Sequence, residues 1–179
     1  MKQIILKSAF IVLVMLVALP AATAQKPGGV KWYTIEEAEK MAKESPRPIF
    51  VDTYTDWCSW CKKLDNETFA HPAIIEILNT KFYAVKFNAE GKEEVTFKGM
   101  TFKNDGKYGK AHQLAVALLQ GKMGYPTVVF LDEKADMVTA KPGFRGAKDM
   151  EPMLVYFAEK AYLTKTLEDF SSGFKGAVK

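Results

Sequence analysis

The stretch Phe50-Val51-Asp52-Thr53-Tyr54-Thr55-Asp56-Trp57-Cys58-Ser59-Trp60-Cys61-Lys62 decides how this chain is read. Its first half, with Ile49 ahead of it, is a short run dense in β-branched and aromatic residues, the composition of a buried strand. The second half is a turn that should open into a helix. The only two cysteines of the chain therefore stand at i and i+3 where a strand gives way to a helix. Unpaired N–H groups and the positive end of the helix dipole favour a thiolate there, lowering a cysteine pKa from about 8.5 toward roughly 3.5–7.5. Cys58 can attack or be attacked, and Cys61, one turn later, can resolve a mixed disulfide.

Three other uses of the pair compete with exchange. A purely structural disulfide would enclose two residues, and so small a loop removes little chain entropy. Zinc would need Cys58, Cys61, His71 and His112 together, but the histidines lack the usual short spacing. Two unrelated buried thiols fit poorly with an even cysteine count at this spacing in an exported chain. No role is evident for His71 or His112, which read as a surface turn and a helix face.

Working outward, Thr34-Ile35-Glu36-Glu37 is a capping-box pattern, and Ala38, Met41 and Ala42 continue a helical stripe, so a helix is expected over Ile35 to Glu44. Pro46 and Pro48 end it before the strand. His71-Pro72 breaks the helical region that follows the cysteines, with a second helix over Ala73 to Asn79 and a second strand over Phe82 to Phe87. Two strands joined by a helical crossover are expected to be parallel. Val95-Thr96-Phe97 and Met100-Thr101-Phe102 could pair as a hairpin around Gly99, covering a sheet edge. A helix over Lys110 to Lys122, ending near Gly124, leads to a strand over Thr127 to Leu131, a short turn and an antiparallel partner over Met137 to Ala140. The last long helix is expected over Asp149 to Leu163, with Pro152 in its first turn, then a short helix around Leu167 to Ser171 and a loose tail. This order implies an α/β fold, a mixed central sheet with helices on both faces and an insertion at about 91–109 before the third core helix.

The first 24 residues differ from the rest. Lys2 and Lys7 precede the apolar run Ala9 to Leu19, and Ala22-Thr23-Ala24 ends the segment with small residues, the order of a cleaved secretory signal. The apolar run is about 11 residues against the roughly 20 that span a bilayer, so no stable membrane insertion is expected after cleavage. Residues 25–31 read as a short linker, 32–163 as one domain and 164–179 as a C-terminal extension. The chain has 179 residues, 48% hydrophobic and 26% charged, enough for one core. Its formal charge of +4 falls to +2 without Lys2 and Lys7, which argues against nucleic acid as a partner.

The quoted stretch resembles the active-site segment of the thioredoxin superfamily, in which a strand acid precedes a Trp-Cys-x-x-Cys-Lys turn. Trp32 to Ala38 resembles the Trp-x-x-x-Glu-Glu-Ala start of exported thioredoxin-like domains. Gly124-Tyr125-Pro126-Thr127 is similar to the family's cis-proline loop, and Ala84-Val85-Lys86-Phe87-Asn88 to the strand bearing its buried lysine. The resemblance implies a thioredoxin-like fold with Cys58 as nucleophile and Cys61 as resolving thiol. It also implies that Asp52 moves the proton of Cys61, with Lys86 as its partner. A carboxylate between Val51 and Thr53 in a buried strand would in any case need a counter-charge. Trp57, Trp60, Tyr125 and Pro126 are the implied substrate-binding residues, Pro126 in cis and the Tyr125 backbone pairing with an extended substrate segment. Trp60 stands where thioredoxin itself has proline, which removes a φ constraint and adds a backbone donor near the sulfurs, a change worth tens of millivolts.

The expected function is a periplasmic thiol–disulfide oxidoreductase acting mainly as a reductase on protein disulfides. It would use its own Cys58–Cys61 disulfide, without metal or organic cofactor, and draw electrons from a membrane thiol reductase. A disulfide oxidase or isomerase of the same fold, and a non-catalytic binding module, are the alternatives.

Overall fold

The computed structural model describes residues 28–179, so the leader expected over 1–24 lies outside the described residues. The element order is β1 (Trp32–Tyr33), α1 (Ile35–Glu44), β2 (Ile49–Tyr54), α2 (Ser59–Lys63), a π-helical turn (Leu64–Thr68), α3 (Pro72–Lys81), β3 (Tyr83–Asn88), β4 (Val95–Phe97), β5 (Met100–Phe102), α4 (Gln113–Leu118), β6 (Thr127–Leu131), β7 (Met137–Pro142), α5 (Ala147–Ala158), a 3-10 turn (Ala161–Leu163) and α6 (Leu167–Ser172). The main sheet has the order β1-β3-β2-β6-β7. β2 runs parallel to β3 with Asp52 opposite Lys86, and antiparallel to β6 with Asp52 opposite Val128.

All of β6 and nearly all of β2 are buried because both sheet faces are covered. Alternate residues serve opposite layers. Ile49, Val51, Val85, Val129 and Leu131 pack with Ile35, Ala38 and Ala42 of α1 and with Leu114 and Leu118 of α4. Phe50, Ala84, Val128 and Phe130 face the layer of Leu64 in the π turn, Ile74 and Leu78 in α3, and Met153, Leu154 and Phe157 in α5. Asp52 and Lys86 share the parity of Phe50 and Ala84, so both point toward the layer that contains the helical run after Cys58.

Several expectations are met in detail. Glu37 N–H donates to Thr34 Oγ1 at 3.2 Å while Thr34 N–H donates to Glu37 Oε2 at 2.9 Å, closing the capping box. β4 and β5 form the expected hairpin, turning at Lys98 and Gly99 with φ of 52° and 73°. The hairpin docks on α1, however, and not along a sheet edge. Thr96 N–H donates to Glu36 Oε1 at 3.0 Å and Lys98 N–H to Glu39 Oε2 at 2.9 Å, so two carboxylates of α1 take up its free donors.

Other elements differ from the expectation. The Trp32–Tyr33 strand pairs with Ala84 and Val85 across the sheet, a contact that local pattern does not reveal. α4 is shorter than Lys110 to Lys122 because His112 caps its start and the left-handed residues Gln120 and Gly121 unwind its end. α5 begins at Ala147, which puts Pro152 in the second turn, where it removes a helix hydrogen bond. The same helix stops at Ala158, and Lys160 at φ 55° separates it from the 3-10 turn. The tail is anchored, since Ala177 and Val178 donate N–H groups to the buried Glu151 carboxylate at 2.7 and 2.9 Å.

Candidate active site

β2 ends at Tyr54, and the Thr55 carbonyl accepts from Cys58 N–H at 3.1 Å in the turn that opens α2. Cys58 is the N-cap of α2, with Sγ accepting from Cys61 N–H at 3.0 Å. The sulfur thus takes one of the free donors at the helix start, the placement expected from sequence. Cys58 and Cys61 are joined as a disulfide with Cα atoms 5.3 Å apart. Both cysteines are buried, while the neighbouring Trp57 and Trp60 are 65% and 53% exposed. The indoles are therefore far more accessible than the sulfurs they flank.

Asp52 is fully enclosed, which excludes a solvent-facing carboxylate at a strand end. Its Oδ2 accepts from Lys86 Nζ at 2.6 Å, and its Oδ1 has no hydrogen-bond partner among the described residues. Burial pushes the Asp52 carboxyl up to about 6, and the Lys86 ammonium opposes that rise only in part. Lys86 also donates to Asp65 on the π turn, a third member of the cluster that the sequence reading did not include. Burial works against the Lys86 charge, but two carboxylates overcome it and its pKa is raised. The two shifts are compatible because Asp52 is the more deeply enclosed and has one cation, whereas Lys86 is partly exposed and has two anions. The rings of Trp32, Tyr54 and Phe69 lie 5.3, 4.9 and 5.5 Å from Lys86 Nζ, holding the ammonium in an aromatic box.

The remaining expected residues are linked through the two tryptophans that flank Cys58. Trp57 donates through Nε1 to Glu90 Oε2 at 3.0 Å and meets Tyr125 edge to face at 6.0 Å. The Tyr125–Pro126 peptide is cis, directly before β6. The Pro126 carbonyl accepts from Gly143 N–H at 2.8 Å, which ties this loop to the β7–α5 connection. Phe144 follows there and packs on Trp60 at 5.5 Å. Glu90 and Phe144 are site residues that no local motif marks, since each reaches its tryptophan only through the fold.

Neither histidine joins the cysteines. His71 caps α3, its Nδ1 accepting from Ala73 N–H at 3.3 Å. The expectation of an outward helix face for His112 is corrected: it is 1% exposed, with Nδ1 accepting from Leu114 N–H at 3.1 Å and Nε2 2.9 Å from the Glu93 carbonyl. It is buried because it is the N-cap on which the insertion folds back. Among the described residues no cluster of three or more His, Cys, Asp or Glu side chains is placed to hold a metal ion. No described helix is long and apolar enough to cross a membrane.

A family model described as a thioredoxin-like domain matches residues 35–158. An uncharacterized protein of Caenorhabditis elegans is 30% identical over 111 residues, covering 62% of this chain and 13% of that protein. The thiol:disulfide interchange protein DsbD of Vibrio vulnificus is 26% identical over 113 residues, again 62% of this chain and 16% of its own length. This chain thus spans less than a fifth of the curated relatives it matches. Among solved structures, the DsbH oxidoreductase superposes with a TM-score of 0.54 at 20% identity, covering 75% of this chain and 88% of that one, a likeness of fold. With a matching domain over most of the chain, a mixed sheet between two helical layers and a Cys-x-x-Cys disulfide at a helix start, this chain belongs to the thioredoxin-like family.

Proposed function

We propose that this protein exchanges disulfides with other proteins, acting mainly as a reductase in an exported, periplasmic setting. The observation that carries the reading is the Cys58–Cys61 disulfide at the start of α2, with the Asp52–Lys86–Asp65 cluster beneath the same helical run. In the reduced pair, the Cys58 thiolate attacks one sulfur of a substrate disulfide, and the other substrate sulfur leaves as a thiolate that takes up a proton. Cys61, once deprotonated, attacks Cys58 Sγ and breaks the mixed disulfide. Two electrons pass from the pair to the substrate, and the Cys58–Cys61 bond remains.

Asp52 is the group assigned to accept the Cys61 proton. With its pKa near 6 it is mostly ionised at neutral pH yet basic enough to be a useful acceptor. Lys86 keeps that carboxylate in place. Trp57, Trp60, Tyr125 and Pro126 form the surface against which the substrate segment lies. Regeneration requires a dithiol donor, which we assign to a membrane thiol reductase; the cycle uses no metal or organic cofactor. Similarity to the DsbD protein of Vibrio vulnificus supports exchange with protein partners, and the leader-like residues 1–24 support export.

Cys61→Ser should accumulate covalent adducts with oxidised cell-envelope proteins, released by dithiothreitol and detected on non-reducing gels. Absence of adducts would overturn the assigned order of the two thiols. Equilibration with glutathione tests direction, because a potential near the roughly −120 mV of strong oxidants would replace reductase by oxidase. A wild-type protein inert in dithiothreitol-driven insulin reduction would favour a binding module instead.

A further inference from the structure

The two tryptophans that flank the disulfide sit in opposite electrostatic settings. Trp57 donates to Glu90, and beside it Asp56 accepts from Asn88 Nδ2 at 3.2 Å. Trp60 instead packs on Phe144, and Lys63 Nζ lies 5.1 Å from the Trp60 ring centre and 5.2 Å from that of Phe144. Lys63 is one residue beyond Lys62 on α2, and Arg145 follows Phe144. The Arg145 guanidinium donates to the Pro142 and Gly143 carbonyls at 3.0 and 3.3 Å, which fixes a second cation on the same loop. The nearest carboxylate to Lys63 is Glu67 at 3.9 Å, and at that distance both side chains remain about half exposed. The disulfide is therefore bordered by carboxylates on the Trp57 side and by the Lys63 ammonium over an apolar ledge on the Trp60 side.

We propose that the Trp60–Phe144 ledge and Lys63 select partner segments that carry an acidic side chain beside the reacting cysteine. The inference rests on the exchange reading above and narrows its substrate class. The exposed indoles of Trp57 and Trp60 stand on either side of Cys58 in the chain, so a segment that reaches the sulfur finds a different surface on each side. On the Trp60 side an apolar side chain covers the ledge while a neighbouring carboxylate meets Lys63, whose charge already lies against two rings and is partly stripped of water. A lysine in the same place meets the like charge of Lys63. Lys63 and Phe144 are specificity-determining residues, and their contribution is to choice of partner rather than to the chemistry at sulfur.

The test uses two peptides that differ only in Asp or Lys next to a single cysteine, each cysteine capped as a mixed disulfide with thionitrobenzoate. The Cys58 thiolate of the reduced protein attacks the peptide sulfur, the bond to thionitrobenzoate breaks, and the coloured thiolate that leaves reports the rate. At low ionic strength the wild-type protein should react about fivefold faster with the Asp peptide, in line with one or two partly exposed charge contacts, and about 0.5 M salt should erase the difference. Lys63→Met should bring the ratio to about one, and Lys63→Glu should invert it. Circular dichroism verifies that both variants are folded. Equal rates with the two wild-type reactions, or a preference unchanged in Lys63→Glu, overturn the proposal while leaving the exchange function standing. If neither peptide reacts faster than with free cysteine, the exchange reading itself falls.

Discussion

Asp52 is where stability and chemistry pull in opposite directions. Its carboxyl is raised from 3.8 to about 6 because burial penalises the charge more than Lys86 offsets it. The folded protein therefore holds this proton more tightly than the unfolded chain. Between about pH 4 and 6 the folded state binds more protons, so stability falls as pH rises through that window, and the full penalty is present above it. The shift corresponds to on the order of 2–3 kcal/mol. Asp52→Asn should accordingly stabilise the oxidised protein by about 1–3 kcal/mol at pH 7 and by little at pH 4, read from urea unfolding at both values. Lys86 keeps Asp65 as a partner in that variant, which limits any loss. The same substitution should slow release of substrate from the Cys58 mixed disulfide at neutral pH, because the assigned proton acceptor is gone.

At the scale of elements, Glu36 and Glu39 hold the hairpin of the insertion between β3 and α4, and Asn104 ties its two ends together. Asn104 Nδ2 donates to the carbonyls of Glu90, Gly91 and Lys110 at 3.2, 3.0 and 2.7 Å. The first of these residues also holds Trp57, so the insertion and one rim of the active site share an anchor. Asn104→Ala should lower stability by about 0.5–1.5 kcal/mol, since three partly or fully exposed carbonyls lose a shared donor. It should also speed amide exchange across residues 89–112 without changing exchange in β2 or β6. Uniform protection across the insertion would show that Asn104 is not its anchor. The π turn has a comparable role, since it continues α2 and places Asp65 against Lys86.

At the scale of the whole molecule, the C-terminal segment closes over the helical layer. Phe170 packs on Tyr156 of α5 at 5.4 Å, Phe174 packs on Phe170 at 5.7 Å, and the N–H groups of Ala177 and Val178 satisfy the buried Glu151 carboxylate. A Cβ at Gly176 would lie 2.2 Å from Glu151 Oε2, so a larger residue there requires the Glu151 carboxylate to move off its two N–H donors. Removing residues 174–179 strands that carboxylate and should destabilise the protein by about 2–4 kcal/mol. Combining the truncation with Glu151→Met should recover part of the loss, because the stranded charge is then absent. Additive losses in denaturant unfolding of the two single changes and the double would show that the tail and Glu151 do not interact.

The sequence by itself determined β2, β6, the capping box of α1, the β4–β5 turn and the position of Cys58 and Cys61, because each depends on side-chain period, turn chemistry or spacing within a few residues. It also marked Asp52 and Lys86, through a buried strand carboxylate that needs a cation and through resemblance. Only the tertiary structure decided that Asp65 shares Lys86, that Glu90 and Phe144 hold the two tryptophans, that His112 is a buried cap and that Glu151 clasps the tail. Asp65, Glu90, Phe144 and Glu151 meet partners 21 to 84 positions away in sequence, and His112, though it caps its own helix, is buried by the fold around it. No local periodicity carries such information, since it is the stacking of sheet, helices and loops that sets those distances.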